Sequence, residues 1–144
     1  MTTEDALAAL TAEFFDAVSF EPGERPAYDA IRDLFIDQGL LIKNVGEPEI
    51  ATVDEFIAPR QALVDSGALT EFEEIELAHR NEVFGNVAHR MSTYAKRGVQ
   101  GGVRFEARGV ISTQFVFTPS GWRMSAMAWD DERPGLAMPN RYVA

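Results

Sequence analysis

Leu7, Leu10, Phe14 and Val18 recur at three- and four-residue spacing, and Ala6 and Phe15 widen the stripe. That period predicts an amphipathic helix from Thr2 or Thr3 to about Ser19. A threonine hydroxyl ahead of Glu4 and Asp5 suits its start, because it caps free amides and the acids favour the positive end of the helix. Phe20-Glu21-Pro22-Gly23 breaks the pattern. A second helix is predicted from Pro26 to about Ile36, on Tyr28, Ile31, Leu34 and Phe35, with Gly39 as its stop. Leu40-Leu41-Ile42 reads as a short buried strand and Asn44 to Pro48 as a loop. Thr52-Val53-Asp54-Glu55 has the capping-box spacing and opens a third helix through Phe56, Ile57, Ala62, Leu63 and Val64. Pro59 in its middle either kinks that helix or starts a new one. Ser66-Gly67 ends it.

From Leu69 the period changes to alternation. Strands are predicted over 72–80, 86–96, 109–117 and 122–129, with turns at Phe84-Gly85 and at Thr118 to Gly121, and a glycine-rich link from Gly98 to Gly102. The acidic run Asp130-Asp131-Glu132 leads out of the last strand, and Leu136 to Ala144 is expected to be irregular. Helices first and antiparallel strands afterwards indicate an α+β class rather than a parallel α/β sheet. The simplest organisation is one domain over 1–144, with a core of about 7–132 and a C-terminal tail from 133 to 144.

Composition narrows the function classes. The 46% hydrophobic content is that of a globular chain. Cysteine is absent, which removes disulfides, thiolate metal sites and a cysteine nucleophile, and fits a cytoplasmic location. A formal charge of −10 opposes binding to nucleic acid and to anionic membranes. The acidic N-terminus, MTTEDALAAL, does not read as a secretory signal, and no apolar run reaches membrane-spanning length. No P-loop, dinucleotide fingerprint or Gly-x-Ser-x-Gly motif is present, so no cofactor is expected.

The stretches AIRDLFIDQGLLI, NEVFGNVAHRMSTYAKR and GVISTQFVFTPSGWRMSAMAWDDE resemble the nuclear transport factor 2-like superfamily, in particular its SnoaL-like (polyketide cyclase-like) bacterial branch. The resemblance spans about Leu7 to Glu132. It implies a cystatin-like cone: a curved antiparallel sheet wrapped around the three N-terminal helices, with a pocket at the wide end. It also implies a homodimer joined through the outer sheet face. Fold does not imply function, since this superfamily hosts enzymes and binders alike. The ketosteroid isomerase pattern within it is not met: Phe14 and Phe15 stand where a helical tyrosine is needed, Lys43-Asn44 precede Val45-Gly46 where a base aspartate is needed, and Thr113 precedes Phe115-Val116-Phe117 where a second aspartate is needed. Without a carboxylate base that activity is excluded.

Candidate chemistry therefore centres on the hairpin that holds both histidines. With a clean two-residue turn at Phe84-Gly85, His79 faces Arg90 and Arg80 faces His89, so the histidines lie on opposite sheet faces. A one-residue bulge puts them on the same face. One face carries Ile75, Leu77 and His79 with Arg90, Ser92 and Tyr94; the other carries Glu74, Glu76, Ala78 and Arg80 with His89, Met91 and Thr93. Alignment on the isomerase-like pattern favours His89 inside, as the acid/base. A histidine beside arginines is also a common hydrogen-bonded structural residue, two histidines make no metal site, and the acids of FEEIE suit a solvated face or cross-strand partners of the arginines. In the last strand Met124, Ala126, Ala128 and Asp130 are placed inward, making Asp130 the carboxylate candidate, although it also belongs to a plain acidic loop. Tyr94, Arg90, His79, Thr113, Phe14, Phe15, Phe35, Phe56, Phe115 and Trp122 are the expected ligand-binding residues. Ser112, Gln114, Met127 and Trp129 are the expected dimer surface. The function these residues suggest is binding of a small apolar molecule, either with cofactor-free acid/base catalysis (isomerase, dehydratase or cyclase) or as a non-catalytic ligand-binding or accessory domain.

Overall fold

The computed structural model describes residues 1–142. Helix α1 (Thr3–Val18) starts as the sequence predicts, with Thr2 and Asp5 forming a reciprocal capping box. Its apolar stripe buries Leu7, Phe14, Phe15 and Val18. The second predicted helix is only a 3₁₀ helix, Tyr28–Leu34. Phe35, expected on that helix, instead begins strand β1 (Phe35–Lys43), which extends well beyond Leu40-Leu41-Ile42. A strand that was not anticipated, β2 (Glu49–Thr52), pairs antiparallel with β1 and leads into helix α2 (Val53–Asp65). Pro59 lies within that one helix rather than ending it. Thr52 and Glu55 form the capping box foreseen there.

The long antiparallel strands follow: β3 (Leu69–Phe84), β4 (Val87–Gln100), β5 (Val103–Thr118) and β6 (Gly121–Asp131). The sheet order is β2-β1-β6-β5-β4-β3, with β1 parallel to β6. The fold is thus α+β, a curved mixed sheet of six strands with its helices packed against one face. The turn between β3 and β4 is Gly85-Asn86, one residue later than expected, and Phe84 pairs with Val87. A positive φ at Gly85 alone suits a two-residue hairpin of the II′ kind. Gly101 and Gly102 both have positive φ, so GVQGG is not a link but the end of β4 and a I′-like turn into β5.

The register shifts at Phe35/Leu40 and Leu69/Glu71 lie near strand ends, and two further shifts fix which side chains of β3 and β6 face the helices. In β3, Glu76 pairs with Tyr94 but Ala78 pairs with Thr93, so Leu77 is an inserted residue. In β6, Met124 pairs with Phe115 but Ala126 pairs with Gln114, so Ser125 is inserted. Each insertion exchanges inner and outer faces beyond it. The buried core consequently takes Trp122 and Met124 from one side of Ser125 and Met127 from the other, together with Ile111, Phe115 and Tyr94. Met127 and Trp129, expected on the outer face, are therefore inward: Met127 is buried and Trp129 packs against Phe56 at 6.1 Å between ring centroids.

The tail crosses the outer face. Thr93 Oγ1 donates to the Tyr142 carbonyl, which accounts for the burial of a threonine pointing away from the core. A short 3₁₀ turn, Asn140–Tyr142, closes the described tail; Val143 and Ala144 lie outside the described residues.

Gly109 shows how tightly β4, β5 and β6 are fitted. A Cβ at that position would lie 2.2 Å from the Asp130 carbonyl oxygen and 2.3 Å from the Tyr94 hydroxyl oxygen. The Tyr94 ring covers the site, and both contacts are within hydrogen-bonded parts of the sheet. Gly109→Ala should therefore destabilise the protein by about 1–3 kcal/mol, the usual cost of overpacking. Urea denaturation reads this directly, and an unchanged midpoint would refute the fit.

Candidate functional site

A cavity of about 480 Å³ lies between α2 and the concave face of the sheet. That volume suits a metabolite-sized ligand. Phe14, Leu41, Phe56, Ile111, Met127 and Trp129 form its apolar walls, and Lys43, Glu49, Arg60, Glu74 and Lys96 bring charge to it. Its shape follows from the two inserted residues: Leu77 turns Glu74 inward, and Ser125 turns Met127 and Trp129 inward.

Glu74 is held by its backbone. Its amide donates to Ser19 Oγ at 3.1 Å, and Ser19 Oγ donates to the Phe15 carbonyl at 2.7 Å, tying β3 to the end of α1. The pair of backbone bonds between Phe20 and Phe72 secures the same junction. The Glu74 carboxylate itself has no hydrogen-bond or ion-pair partner among the described residues, although Lys96 is its cross-strand neighbour. Its accessible surface is cavity wall. Loss of hydration there pushes its pKa up to about 7. The Lys96 and Arg60 charges pull the other way and Asp131 reinforces the rise.

Lys96 is held away from Glu74 by Asp131. Its Nζ lies 3.0 Å from Asp131 Oδ1, and each side chain is only 15% exposed. Tyr94 braces the pair: its hydroxyl donates to the Asp131 carboxylate and lies 3.0 Å from the Asp130 carbonyl oxygen. Burial first, and then that bond to Asp131, push the Tyr94 pKa far up, so the phenol stays neutral. The Lys96 ammonium also lies 5.5 Å from the Tyr94 ring centroid, within cation–π range.

Arg60 completes the constellation from α2. Its guanidinium stacks 3.6 Å from the centroid of Phe56, and Nη1 donates to the Phe56 carbonyl at 3.0 Å. Burial lowers its pKa, while the charges of Tyr28, Glu74 and Glu49 raise it.

The site residues inferred from sequence are placed as follows. His89 points outward, not inward: its side chain is 48% exposed and Nε2 lies 2.7 Å from Glu82. Its cross-strand neighbour is Glu82 because the turn sits at Gly85-Asn86, and the alternate residues Ala88, Arg90, Ser92 and Tyr94 take the inner face. The two histidines do lie on opposite faces, with His79 on the inner side, half-exposed and 3.5 Å from Glu76. Arg90 is inward but does not reach the cavity. It is 3% exposed and makes a two-pronged ion pair with Glu76 at 3.0 and 2.6 Å, with Ser92 donating to the same carboxylate. Asp130 faces outward and pairs with Arg133, because Ser125 shifts the strand. The inward acid is Asp131. Phe14 and Phe56 line the cavity, whereas Phe15, Phe35, Thr113, Phe115 and Trp122 are core residues that do not reach it. Tyr94 lies beneath the wall as the brace of Asp131. Glu73 and Glu76 are indeed cross-strand partners of arginines, Arg97 and Arg90, but Glu74 from the same acidic run is not.

Glu74, Lys96, Arg60 and Asp131 were not singled out from the sequence. The available signal was in β6: Trp122, Met124, Met127 and Trp129 can all face one side only if a residue is inserted between Met124 and Met127. That insertion also turns Asp131 inward. No comparable pattern marks Leu77.

Several solved structures share this architecture. A protein of the nuclear transport factor 2-like kind from Cytophaga hutchinsonii superposes with a TM-score of 0.71 at 12% identity, covering 91% of this chain and 99% of its own. A superfamily member from Salmonella enterica gives 0.73 at 13% identity, covering 89% of each chain. The chain has the nuclear transport factor 2-like fold. A protein with a cystatin-like fold from Caulobacter vibrioides agrees, at 0.72 and 16% identity over 92% of this chain and 91% of its own. No family model and no curated protein matches the sequence. Identities this low speak to the fold and leave the chemistry to the side chains in the cone. Among the described residues, no helix is long and apolar enough to cross a membrane, and no group of three or more acidic or histidine side chains is arranged to hold a metal ion.

The Glu74 environment has a thermodynamic consequence. Its carboxyl titrates near 4.5 in the unfolded chain and near 7 in the fold. The folded state thus holds its proton more tightly, and stability declines as pH rises through that window. The charged groups around it are Lys96 on β4, Asp131 on β6, Glu55 and Arg60 on α2, and Lys43 and Glu49 on β1 and β2. The loss is on the order of 3 kcal/mol between pH 4.5 and 7. Denaturation of wild type and Glu74→Gln across that range measures it; the variant should lack this component. Lys96→Met should raise the Glu74 titration further, read by carboxyl carbon NMR.

Proposed function

We propose that the cavity binds a small, largely apolar molecule and catalyses its cofactor-free isomerisation, dehydration or cyclisation, with Glu74 as the acid/base, as an enzyme of the SnoaL-like kind. One observation carries the reading: an unpaired carboxylate with a pKa near 7 on the wall of an apolar cavity. Such a group is ionised and protonated in comparable amounts at neutral pH, which is the condition for general acid/base work. Ionised Glu74 takes a proton from a carbon beside a carbonyl; the C–H electron pair becomes the C=C bond and the carbonyl π pair moves onto oxygen, giving an enolate. The Lys96 ammonium on the same wall favours that negative charge. Protonated Glu74 then returns the proton to another carbon, or to a leaving hydroxyl that departs as water. Asp131 and Tyr94 act as positioning residues, keeping Lys96 from collapsing onto Glu74.

On this reading Glu74→Gln abolishes turnover, by about 10²- to 10⁴-fold, while ligand affinity is retained. His89→Ala leaves both unchanged. The rate in wild type should rise or fall with an inflection near pH 7. A screen of enolisable metabolites followed by NMR reads all three. Binding without any turnover would support the non-catalytic alternative, in which the same cavity simply holds its ligand.

Self-association through the outer sheet face belongs to the proposal, on a revised set of residues. Ser112 and Gln114 are exposed there, and their cross-strand partners Ala128 and Ala126 are small, leaving a flat central surface beside the tail. Ser112→Lys combined with Gln114→Lys should convert a dimer to a monomer in light scattering. A wild-type protein that is monomeric at micromolar concentration would rule this out.

A further inference from the structure

The charges of the cavity carry its ligand class further. Arg60 is a partly buried guanidinium with five N–H donors, of which one is bonded, to the Phe56 carbonyl. Among the described residues no carboxylate lies within 4.0 Å of it. Lys43, on the same cavity, also has no ion-pair partner there. Lys96, by contrast, is satisfied by Asp131. The unbonded donors of Arg60 stay accessible to solvent on the cavity side, so they are open to an entering anion. The planar fork of a guanidinium matches a carboxylate in two-pronged fashion.

We propose that the ligand of this cavity is a small monocarboxylate, its carboxylate paired with Arg60 and its apolar body lying among Phe14, Phe56, Met127 and Trp129. The inference rests on the acid/base reading of the same cavity and specifies what that reading leaves open. A single negative charge fits better than a phosphate, because Glu49, Glu55 and Glu74 also line the cavity and would repel a dianion. Arg60 and Glu74 line the same cavity without forming an ion pair, so a ligand anchored on one lies beside the other.

Binding of an anion beside Glu74 also has a signature. The added negative charge favours the protonated form of Glu74, so association near pH 7 takes up protons. A neutral ligand of the same shape does not do this by charge.

The test uses 3-phenylpropionate and its neutral isostere 3-phenylpropanamide as probes, titrated into the full chain and followed by amide NMR, with calorimetry in buffers of different ionisation enthalpy. The carboxylate should bind at least tenfold more tightly than the amide, with proton uptake. Arg60→Gln should remove that preference, and Glu74→Gln should remove the proton uptake while preserving the preference. Equal affinity for both probes in wild type would overturn the monocarboxylate assignment while leaving a functional cavity, and this comparison does not depend on the variant folding. A preference that survives in Arg60→Gln would overturn the role of Arg60. No perturbation of residues around the cavity by either probe would overturn this inference and the proposed function together.

Discussion

A β-strand repeats every two residues, so one inserted residue exchanges its faces for the rest of its length. Both walls of this cone depend on such an insertion. Leu77 lets β3 present Phe72, Glu74 and Glu76 inward on one side of the shift, and His79 and Asn81 inward on the other. Ser125 does the same in β6, so Trp122 and Met124 are buried below it, while above it Met127 is buried and Trp129 packs partly buried against the core. Remove either insertion and the cavity would lose Glu74 or gain Ala126 and Ala128 in place of Met127 and Trp129. Insertions also increase local twist, which is how a long sheet bends far enough to enclose helices. Curvature and cavity chemistry thus have one source.

The Arg90–Glu76 and Lys96–Asp131 ion pairs of the concave face differ in character. Arg90 and Glu76 are joined by two direct bonds, with Ser92 and Asn81 taking remaining donors and acceptors, so that charge is internally satisfied and structural. Lys96 and Asp131 are also joined, and Tyr94 completes the carboxylate. Glu74 is left over. Its most obvious partner, Lys96 across the strand, is already engaged, so the fold has an acidic side chain placed against a cation that belongs to another acid. Loss of hydration raises the Glu74 pKa, and with Lys96 bound to Asp131 the lysine and arginine charges offset only part of that rise, where a simple count of charges would suggest the opposite.

Much of the architecture is legible in the chain because it depends on local signals. The threonine cap ahead of α1, the capping box at Thr52 and the change from helical to alternating period at Leu69 are read directly from neighbouring residues. The boundary errors have a common cause. Phe35 to Leu41 is apolar enough for helix or strand, and pairing with β6, about 90 residues away, decides for strand. The site was less legible because it depends on parity. A residue such as His89 is conspicuous by type, yet a turn one residue later than expected and an inner face chosen by tertiary packing put it in solvent. Glu74 is inconspicuous, one acid in a run of four, and its chemistry comes entirely from an insertion three residues away. Asp131 rather than Asp130 is inward for the same reason. In β6 the spacing of four large apolar residues encodes the shift; in β3 the neighbouring Ile75 and Leu77 are half-exposed, so hydrophobicity encodes none.

The acidity of the whole chain bears on the cone in a limited way. A charge of −10 repels a monoanion at long range, which slows its approach at low ionic strength. At physiological salt the Debye length is about 8 Å, so exposed carboxylates on the far side of the sheet contribute little inside the cavity. What an entering molecule meets there is Lys43, Arg60 and Lys96 opposite Glu49, Glu55 and Glu74. With Glu74 protonated those six groups sum to one positive charge, and with Glu74 ionised to none. The proton on Glu74 therefore sets the charge of the cavity as well as its reactivity, and a negatively charged ligand and that proton favour each other's presence.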